Sequence, residues 1–476
     1  MSIGARLGSA CLLAALWTSP SAKAEQATNL TLPQARAVAI SALREGRPQL
    51  AYSLSKALLK ANPRDASAYF VIARSLEQMR DPKLGRRAAG YAFRYSKTPN
   101  DRFLAAQMAA RLSYQAKQYN YAQYWLRRSI DSAPDDRLRQ QTINDFKRVS
   151  RENPLRFNIQ FSLAPSDNVN SGTDNDYSTA DGLIGGGVIS DDGQPLSGVV
   201  AKAGLTGPYR LHLSKTAETR LTAKLQTRQV FLTSEARAKL QSSPFPSVQN
   251  KTGRDFSSTT LEMGVAHSFV LGQTADRPRG NGFGRVSFSL GQQWYAQDPY
   301  SRYAKVGLER GFTLAPGRSL RFGAFFTRRD YGDPFPSNRV ELRVDYAHAF
   351  ENGAQLGTGV MLARTSADGN NRNNDLANLY VTYRPAKRIG PAKATFTLAA
   401  VRSDYPGYLL LNPFPTAVPG GRRDNTLYGA AAFQFDQFEF AGFSPELLLS
   451  TRQTTSNVSR FDTSEVTLSI GIKSSF

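Results

Sequence analysis

The stretch Val340-Glu341-Leu342-Arg343-Val344-Asp345-Tyr346 decides the reading of this chain, because apolar and charged residues alternate through it without a break. Successive side chains of a strand point to opposite faces, so one face here is apolar and the other charged, and the two must meet different surroundings. Phe157, Ile159, Phe161 and Leu163 show the same period upstream, and Val466, Leu468, Ile470 and Ile472 show it at the end.

Working outward, the pattern recurs in fourteen segments: 156–164, 198–214, 219–232, 255–270, 283–295, 302–314, 319–330, 339–350, 355–365, 376–384, 393–403, 426–436, 444–453 and 464–476. A tilted transmembrane strand needs about 9–11 residues, close to the length that recurs here. Connections after even-numbered segments are mostly tight, as at 215–218, 315–318 and 351–354, whereas those after odd-numbered segments are mostly longer, as at 165–197, 233–254, 366–375 and 404–425. Short turns at one rim and long loops at the other are the habit of bacterial outer-membrane barrels. An even strand count with a helical domain in the periplasm places the long connections outside the cell. Aromatic residues such as Tyr209, Trp294, Tyr303 and Phe350 are expected in the interfacial girdles, and Lys305, Arg321 and Arg343 in a wet, basic lumen.

The first residues carry Arg6, an apolar run from Leu7 to Trp17, then Pro20 and the small-x-small Ala22-Lys23-Ala24. This is the layout of a secretory leader, expected to be cleaved after Ala24. The one cysteine, Cys11, falls within it, so disulfides, thiolate metal sites and cysteine nucleophiles are not expected in the mature chain. Beyond the leader no uncharged apolar run approaches the ~20 residues of a membrane-spanning helix. A closed barrel is then the only way across a bilayer, since it pairs every backbone polar group internally.

Composition divides the mature chain into a helical domain at 25–154 and a barrel at 155–476, the change falling at Asn153-Pro154, where proline ends a helix. Pro63, Pro99 and Pro134 stand 36 and 35 residues apart. A period of about 34 with proline closing each helix pair resembles the tetratricopeptide repeat. Ala39 and Ala110 in first helices, and Ala51, Ala88 and Ala122 in second helices, are the small residues expected at helix crossings. Leu104, Met108 and Leu112, then Tyr121, Trp125 and Ile130, are read mainly as core. First helices of such a solenoid line its concave face. Gln107, Arg111 and Tyr114 share one stripe there, read either as a cargo-binding face or as an ordinary solvated one.

Residues 25–154 hold 23 Lys+Arg against 11 Asp+Glu, within a chain of formal charge +22. An exported protein rarely meets nucleic acid, so the charge is read either as a face for acidic cargo or anionic lipid headgroups or, the commonest case, as a solvated surface that keeps the protein soluble. Neither enzyme nor cofactor is expected. His212, His267 and His348 lie within strand segments without a nucleophile motif, and no phosphate-binding glycine loop occurs. Asp174, Asp176 and Asp181 lack the glycine and closing glutamate of a calcium loop, so no metal is expected.

Ala164-Pro165-Ser166-Asp167-Asn168-Val169-Asn170, Gly421-Arg422-Arg423-Asp424-Asn425, Gly442-Phe443-Ser444-Pro445-Glu446 and Ser456-Asn457 stand at matching places in the barrel pattern, which closes at Phe476. Together with the order leader, helical repeat, barrel, they resemble the surface lipoprotein assembly modulator (Slam) family. That resemblance implies a translocon for particular lipoproteins or soluble secreted proteins. The terminal Phe476 resembles the signal by which barrel-assembly machinery recognises its substrates. Arg422, Arg423 and Asp424 are expected near the outer mouth, either as an ion-paired gate or as a loop staple. An exopolysaccharide export channel and a passive porin are the competing readings.

Overall fold

A computed structural model describes residues 30–183, 186–274, 280–368, 370–410, 415–439 and 443–474. The expected leader with Cys11, Gly442 of the third motif, and Phe476 all lie outside the described residues. The chain divides into two compact units, Met1–Leu112 and Ser113–Phe476.

In the first unit, α1 (Leu32–Arg44), α2 (Pro48–Ala61), α3 (Ala66–Gln78), α4 (Pro82–Tyr95) and most of α5 (Pro99–Gln115) form antiparallel pairs. Turns within pairs carry a left-handed residue, Gly46 at φ 75° and Arg80 at φ 61°, and Lys117 at φ 56° repeats the device after α5. Asp65 and Asp81 cap α3 and α4 through the backbone N–H groups of Ala68 and Leu84. The expected crossing residues Ala39, Ala51, Ala88, Ala110 and, on α6 (Tyr119–Asp131), Ala122 are all buried. Met108, Leu112 and Ile130 are core as well, but Leu104 and Tyr121 are exposed.

In the second unit, α6 and α7 (Asp136–Glu152) lead into a closed antiparallel barrel. Its strands are β1 (Asn158–Ser166), β2 (Gly198–Leu213), β3 (Ala217–Leu232), β4 (Ser258–Leu271), β5 (Gly282–Tyr295), β6 (Asp298–Ala315) and β7 (Arg318–Asp330). They continue as β8 (Ser337–Ala349), β9 (Gln355–Ala367), β10 (Asn374–Arg384), β11 (Lys393–Tyr405), β12 (Arg422–Gln434), β13 (Phe443–Ser456) and β14 (Thr463–Ser474). Each strand pairs with the next in sequence, and β1 closes the cylinder against β14. That closing seam joins four residue pairs, Gln160 to Lys473 through Leu163 to Ile470.

Alternation sets the two faces. Leu308, Leu342, Leu398, Leu427 and Ile470 point outward and are more than half exposed, Leu398 reaching 70%. No helix among the described residues is long and apolar enough to cross a membrane. An apolar belt around a closed, hydrogen-bonded cylinder is what lipid demands of a spanning structure, and this is a fourteen-stranded barrel of the outer-membrane type.

α7 is bolted to the rim where β1 begins, here the near rim. Arg210 donates to the carbonyl oxygens of Arg151 at 2.9 Å and Glu152 at 2.8 Å, and its own N–H reaches the Pro154 oxygen at 2.7 Å. The longest connections, 167–197, 233–257 and 406–421, all lie at the opposite, far rim. Loop alternation has exceptions. At the far rim β5 and β6 meet through Ala296 and Gln297, both left-handed at φ 51° and 72°, because this hairpin's twist favours a two-residue turn. At the near rim the 272–281 and 385–392 connections are longer. The segment 233–254, expected as plain loop, contains α8 (Ser234–Gln241) and α9 (Pro246–Gln249), since Thr233 caps the Ala236 N–H and Leu240 and Val248 find a core.

A near-rim latch joins two turns. The Arg388 guanidinium, seconded by the Lys393 ammonium at 2.7 Å, holds the Asp436 carboxyl at about 2. An ordinary aspartate titrates near ~3.9. The bound value lies below the free one, so the latch's stabilisation is complete above about pH 4 and disappears as pH falls through about 2. Protection of the 385–392 amides relative to their intrinsic exchange rates is therefore expected to fall between those values, and to be low throughout in Asp436→Asn. A wild-type turn with no acid transition contradicts the latch.

Candidate functional site

The far rim carries a folded cap. Loop 167–197 turns into the mouth, where fully buried Val169 packs with Leu196, with Val200 and Val230 from the inward sets of β2 and β3, and with Leu240, Val248 and Phe256 from the next loop. Arg228, also inward, donates to the Phe256 carbonyl at 2.7 Å and to that of Val169. The Asn-rich motif holds this shape. Asn168 accepts from the Gly172 N–H at 2.7 Å and donates to its oxygen at 2.8 Å, while Asn170 donates to Asp192 and Gln194 and accepts from Leu196. A Cβ on Gly172 would lie 2.3 Å from the Gln194 backbone, so only glycine fits that crossing.

A second cluster joins three loops: Ala180 from 167–197, Tyr408 and Val418 from 406–421, and Val458 from 457–462. Arg422 is set into it. Its guanidinium lies 3.7 Å from the Tyr405 and Phe461 ring centroids and 4.9 Å from that of Tyr408, and it pairs with Asp424 at 2.9 Å. Arg423, on the other face of β12, is exposed, and its N–H donates to Asn457 Oδ1 at 2.7 Å. Asn457 in turn donates to the Gly421 oxygen at 2.9 Å. Two of the sequence motifs therefore meet. Across the cap Ser459 exchanges backbone and side-chain hydrogen bonds with Tyr177 and Thr179, and Asp181 N–H reaches the Asn457 oxygen at 3.0 Å.

Removing buried Arg422 would leave the partly buried Asp424 without its cation and three rings without their filling. Breaking a buried pair costs about 3–5 kcal/mol. Arg422→Ala is accordingly expected to make loop 406–421 protease-sensitive while the barrel keeps its heat-modifiable gel mobility, and Arg422→Lys, which restores charge without the flat stack, to rescue only part. Equal resistance in all three proteins contradicts the assignment.

Below the cap the lumen is polar. Lys305, Arg321 and Arg343 occupy the set opposite Val306, Phe322 and Val344, as their alternation requires. Tyr303, expected in an outer girdle, instead points inward: it shares the parity of Lys305, its hydroxyl donates to Glu262 at 2.7 Å, and Arg329 stacks on its ring at 4.8 Å. Phe325 also stands in the lumen, between Lys305 at 4.7 Å and Arg343 at 5.2 Å. It sits over Gly307 and Gly323, where any Cβ would strike its ring. Tyr209 and Phe350 are exposed.

The first unit has its own opening, a groove of about 920 Å³ lined by α1, α3, the end of α4 and α5. Ile40, Leu43, Phe70, Tyr95 and Leu104 supply apolar surface, and Arg36, Arg44, Arg64, Arg74 and Lys97 supply charge. Arg36 pairs with Asp65 at 2.5 Å and Arg74 with Glu77 at 2.9 Å. Of the stripe read from sequence, Gln107 is half-buried, Arg111 is ion-paired to Glu77 at 2.9 Å, and the Tyr114 hydroxyl donates to Glu152 at 2.7 Å.

His267 and His348 face outward, beside Phe269 and Phe350 at 5.9 Å and 4.2 Å between ring centroids. Asp176 accepts from Gln194. Among the described residues no group of three or more His, Cys, Asp or Glu is placed to hold a metal. Arg228, Ser459 and Phe325 were not singled out from sequence. Arg228 and Phe325 carried a usable signal, since each stands in the inward parity of its strand.

No protein-family model matches the sequence, and no curated protein does. Among solved structures, a BenF-like porin from Pseudomonas fluorescens matches 68% of this chain and 99% of its own at 8% identity and a TM-score of 0.35. The OmpT loop-deletion mutant of Vibrio cholerae, an outer membrane protein, matches 68% and 99% at 10% identity and 0.31. The type III secretion translocator chaperone SycD of Yersinia enterocolitica matches 26% of this chain and 88% of its own at 14% identity and 0.24. Likenesses this remote carry no argument about what the chain does.

Proposed function

We propose that this chain is an outer-membrane translocon that moves specific lipoproteins or soluble secreted proteins from the periplasm to the cell surface. The observation that carries the reading is the far-rim cap, in which three loops hold one another through Arg422, Asn457 and Ser459. Such a lid is released as a unit, which suits a large and occasional passenger. The helical unit, with its tetratricopeptide-like period, lies in the periplasm on this reading, and its groove takes up cargo. The quoted motifs, which resemble the Slam family, point the same way. The chain then acts as a conduit and not as an enzyme, with outer-membrane lipid around it and the barrel-assembly machinery as its inserter.

One observation favours a second reading, export of a polysaccharide. Tyr69 stacks with Tyr91 and Tyr95 at 5.1 and 5.7 Å, and Tyr91 is exposed, so the stack leaves aromatic surface of the kind that sugars contact. Deleting the gene and labelling the cell surface separates the possibilities. Loss of particular lipoproteins or secreted proteins from the surface is the expected result. Unchanged surface proteins with reduced exopolysaccharide would overturn it, as would loss of small-solute uptake alone, the mark of a passive porin.

A further inference from the structure

The inward face of β5 to β8 is unevenly charged. Arg285, Lys305, Arg321, Arg329, Arg339 and Arg343 stand there against three carboxylates, Glu309, Glu341 and Asp345. Each carboxylate is already engaged. Glu341 is gripped from both sides by Arg339 at 3.3 Å and Arg343 at 2.5 Å, Glu309 pairs with Arg285 at 3.4 Å, and Asp345 accepts from the Tyr380 hydroxyl at 2.7 Å. Lys305 and Arg321 have no carboxylate within ion-pair distance among the described residues, and Arg321 is exposed to the lumen. The Phe325 ring lies between the ammonium of Lys305 and the guanidinium of Arg343.

We infer that this strip is a binding site for an acidic segment of an extended polypeptide, its carboxylates on Arg321 and Lys305 and an apolar side chain on Phe325. The wall itself supplies the precedent, because Arg285, Arg339 and Arg343 are held by carboxylates, whose planar fork matches a guanidinium. An extended chain suits the site better than a compact anion: Lys305 lies beside Phe325, but Arg321 stands four residues from Phe325 on the same face of β7, about 13 Å away at a strand rise of about 3.3 Å per residue. The inference rests on the translocation reading, since it names the class of segment that a passing cargo presents to the lumen.

The test is lysine footprinting of the full-length mature protein in detergent. Lys305 is acetylated by a water-soluble reagent with and without oligoglutamate, with oligoglutamine and tripolyphosphate as separate arms and Lys215 at the near rim as internal reference. Oligoglutamate is expected to protect Lys305 and not Lys215, and oligoglutamine to protect neither. Arg321→Gln is expected to raise the peptide concentration needed by about tenfold, the loss of one charge-assisted hydrogen bond. Lys305 that reacts equally in every arm, that is unreactive throughout, or that is protected by tripolyphosphate but not by oligoglutamate, overturns the inference. Footprinting reads the strip whether or not surface display needs the chain. Its failure removes the strip alone, and an unchanged surface proteome removes the translocation reading alone.

Discussion

On the proposed translocon role, Ala180→Cys combined with Val458→Cys, once oxidised, is expected to stop passage of cargo to the cell surface, and reductant to restore it. The two residues face each other across an isolated antiparallel bridge. The flanking bonds, Ser459 N–H to the Thr179 oxygen at 2.9 Å and Asp181 N–H to the Asn457 oxygen at 3.0 Å, make it a non-hydrogen-bonded pair, the arrangement that brings side chains closest. Both side chains are buried, so the new bridge replaces a packed contact and meets little solvent. A disulfide typically contributes ~2–4 kcal/mol. That is enough to lower the open fraction of the cap by at least about tenfold. Thr382→Cys with Thr397→Cys links register partners on β10 and β11 that stay neighbours whether the cap opens or not, and it is expected to change nothing. Equal display in oxidised and reduced cells carrying the cap pair would show that these loops are fixed furniture.

Leu398→Arg is expected to block insertion of the barrel, whereas Thr397→Arg is expected to be tolerated. Leu398 stands at the middle of β11 and points outward, and it is 70% exposed in the bare cylinder. In a bilayer that exposure becomes contact with acyl chains. Arginine at the midplane of the lipid face costs ~2–4 kcal/mol. Thr397 belongs to the opposite parity, where its hydroxyl meets that of Thr382 at 3.4 Å across the lumen wall. A guanidinium there joins a surface already lined with charge. The folded fraction, read from heat-modifiable mobility on a gel, should fall sharply for the first variant and little for the second. Equal losses would mean that β11 has no lipid face.

The barrel was legible because its signal is periodic and local. Val340 to Tyr346 alternate strictly, and a one-residue slip would put Arg343 into lipid, so the register of such a strand is written in its own residues. All fourteen strand segments read from the sequence correspond to strands, with their ends shifted by a few residues. The helical pairs were legible for a related reason: buried alanines at Ala39, Ala51 and Ala88 recur where helices cross.

What lay beyond reach depends on contacts between distant loops. Nothing near Ser459 announces that it bonds Tyr177 and Thr179, and nothing near Arg422 announces the ring of Phe461. The Arg-Arg-Asp segment was placed at the mouth, yet its division of labour comes from parity at the start of β12: Arg422 and Asp424 turn in, and Arg423 turns out. Tyr303 was assigned to a girdle on residue type, when counting from Lys305 would have placed it in the lumen. That Arg111 and Tyr114, though exposed, are engaged by Glu77 and Glu152 could not be read from the helix stripe, because those partners are remote in sequence.

The most direct test of the account is a cysteine scan of β11. Cys11 is the single cysteine of the chain, so in a Cys11→Ser background substituted positions supply the only thiols. Single cysteines at Phe396, Thr397, Leu398, Ala399 and Ala400 are each treated with a membrane-impermeant maleimide after reconstitution into lipid vesicles. Labelling at 397 and 399 with protection at 396, 398 and 400 is the predicted result. Uniform labelling, or the reverse parity, would contradict a cylinder with water inside and lipid outside.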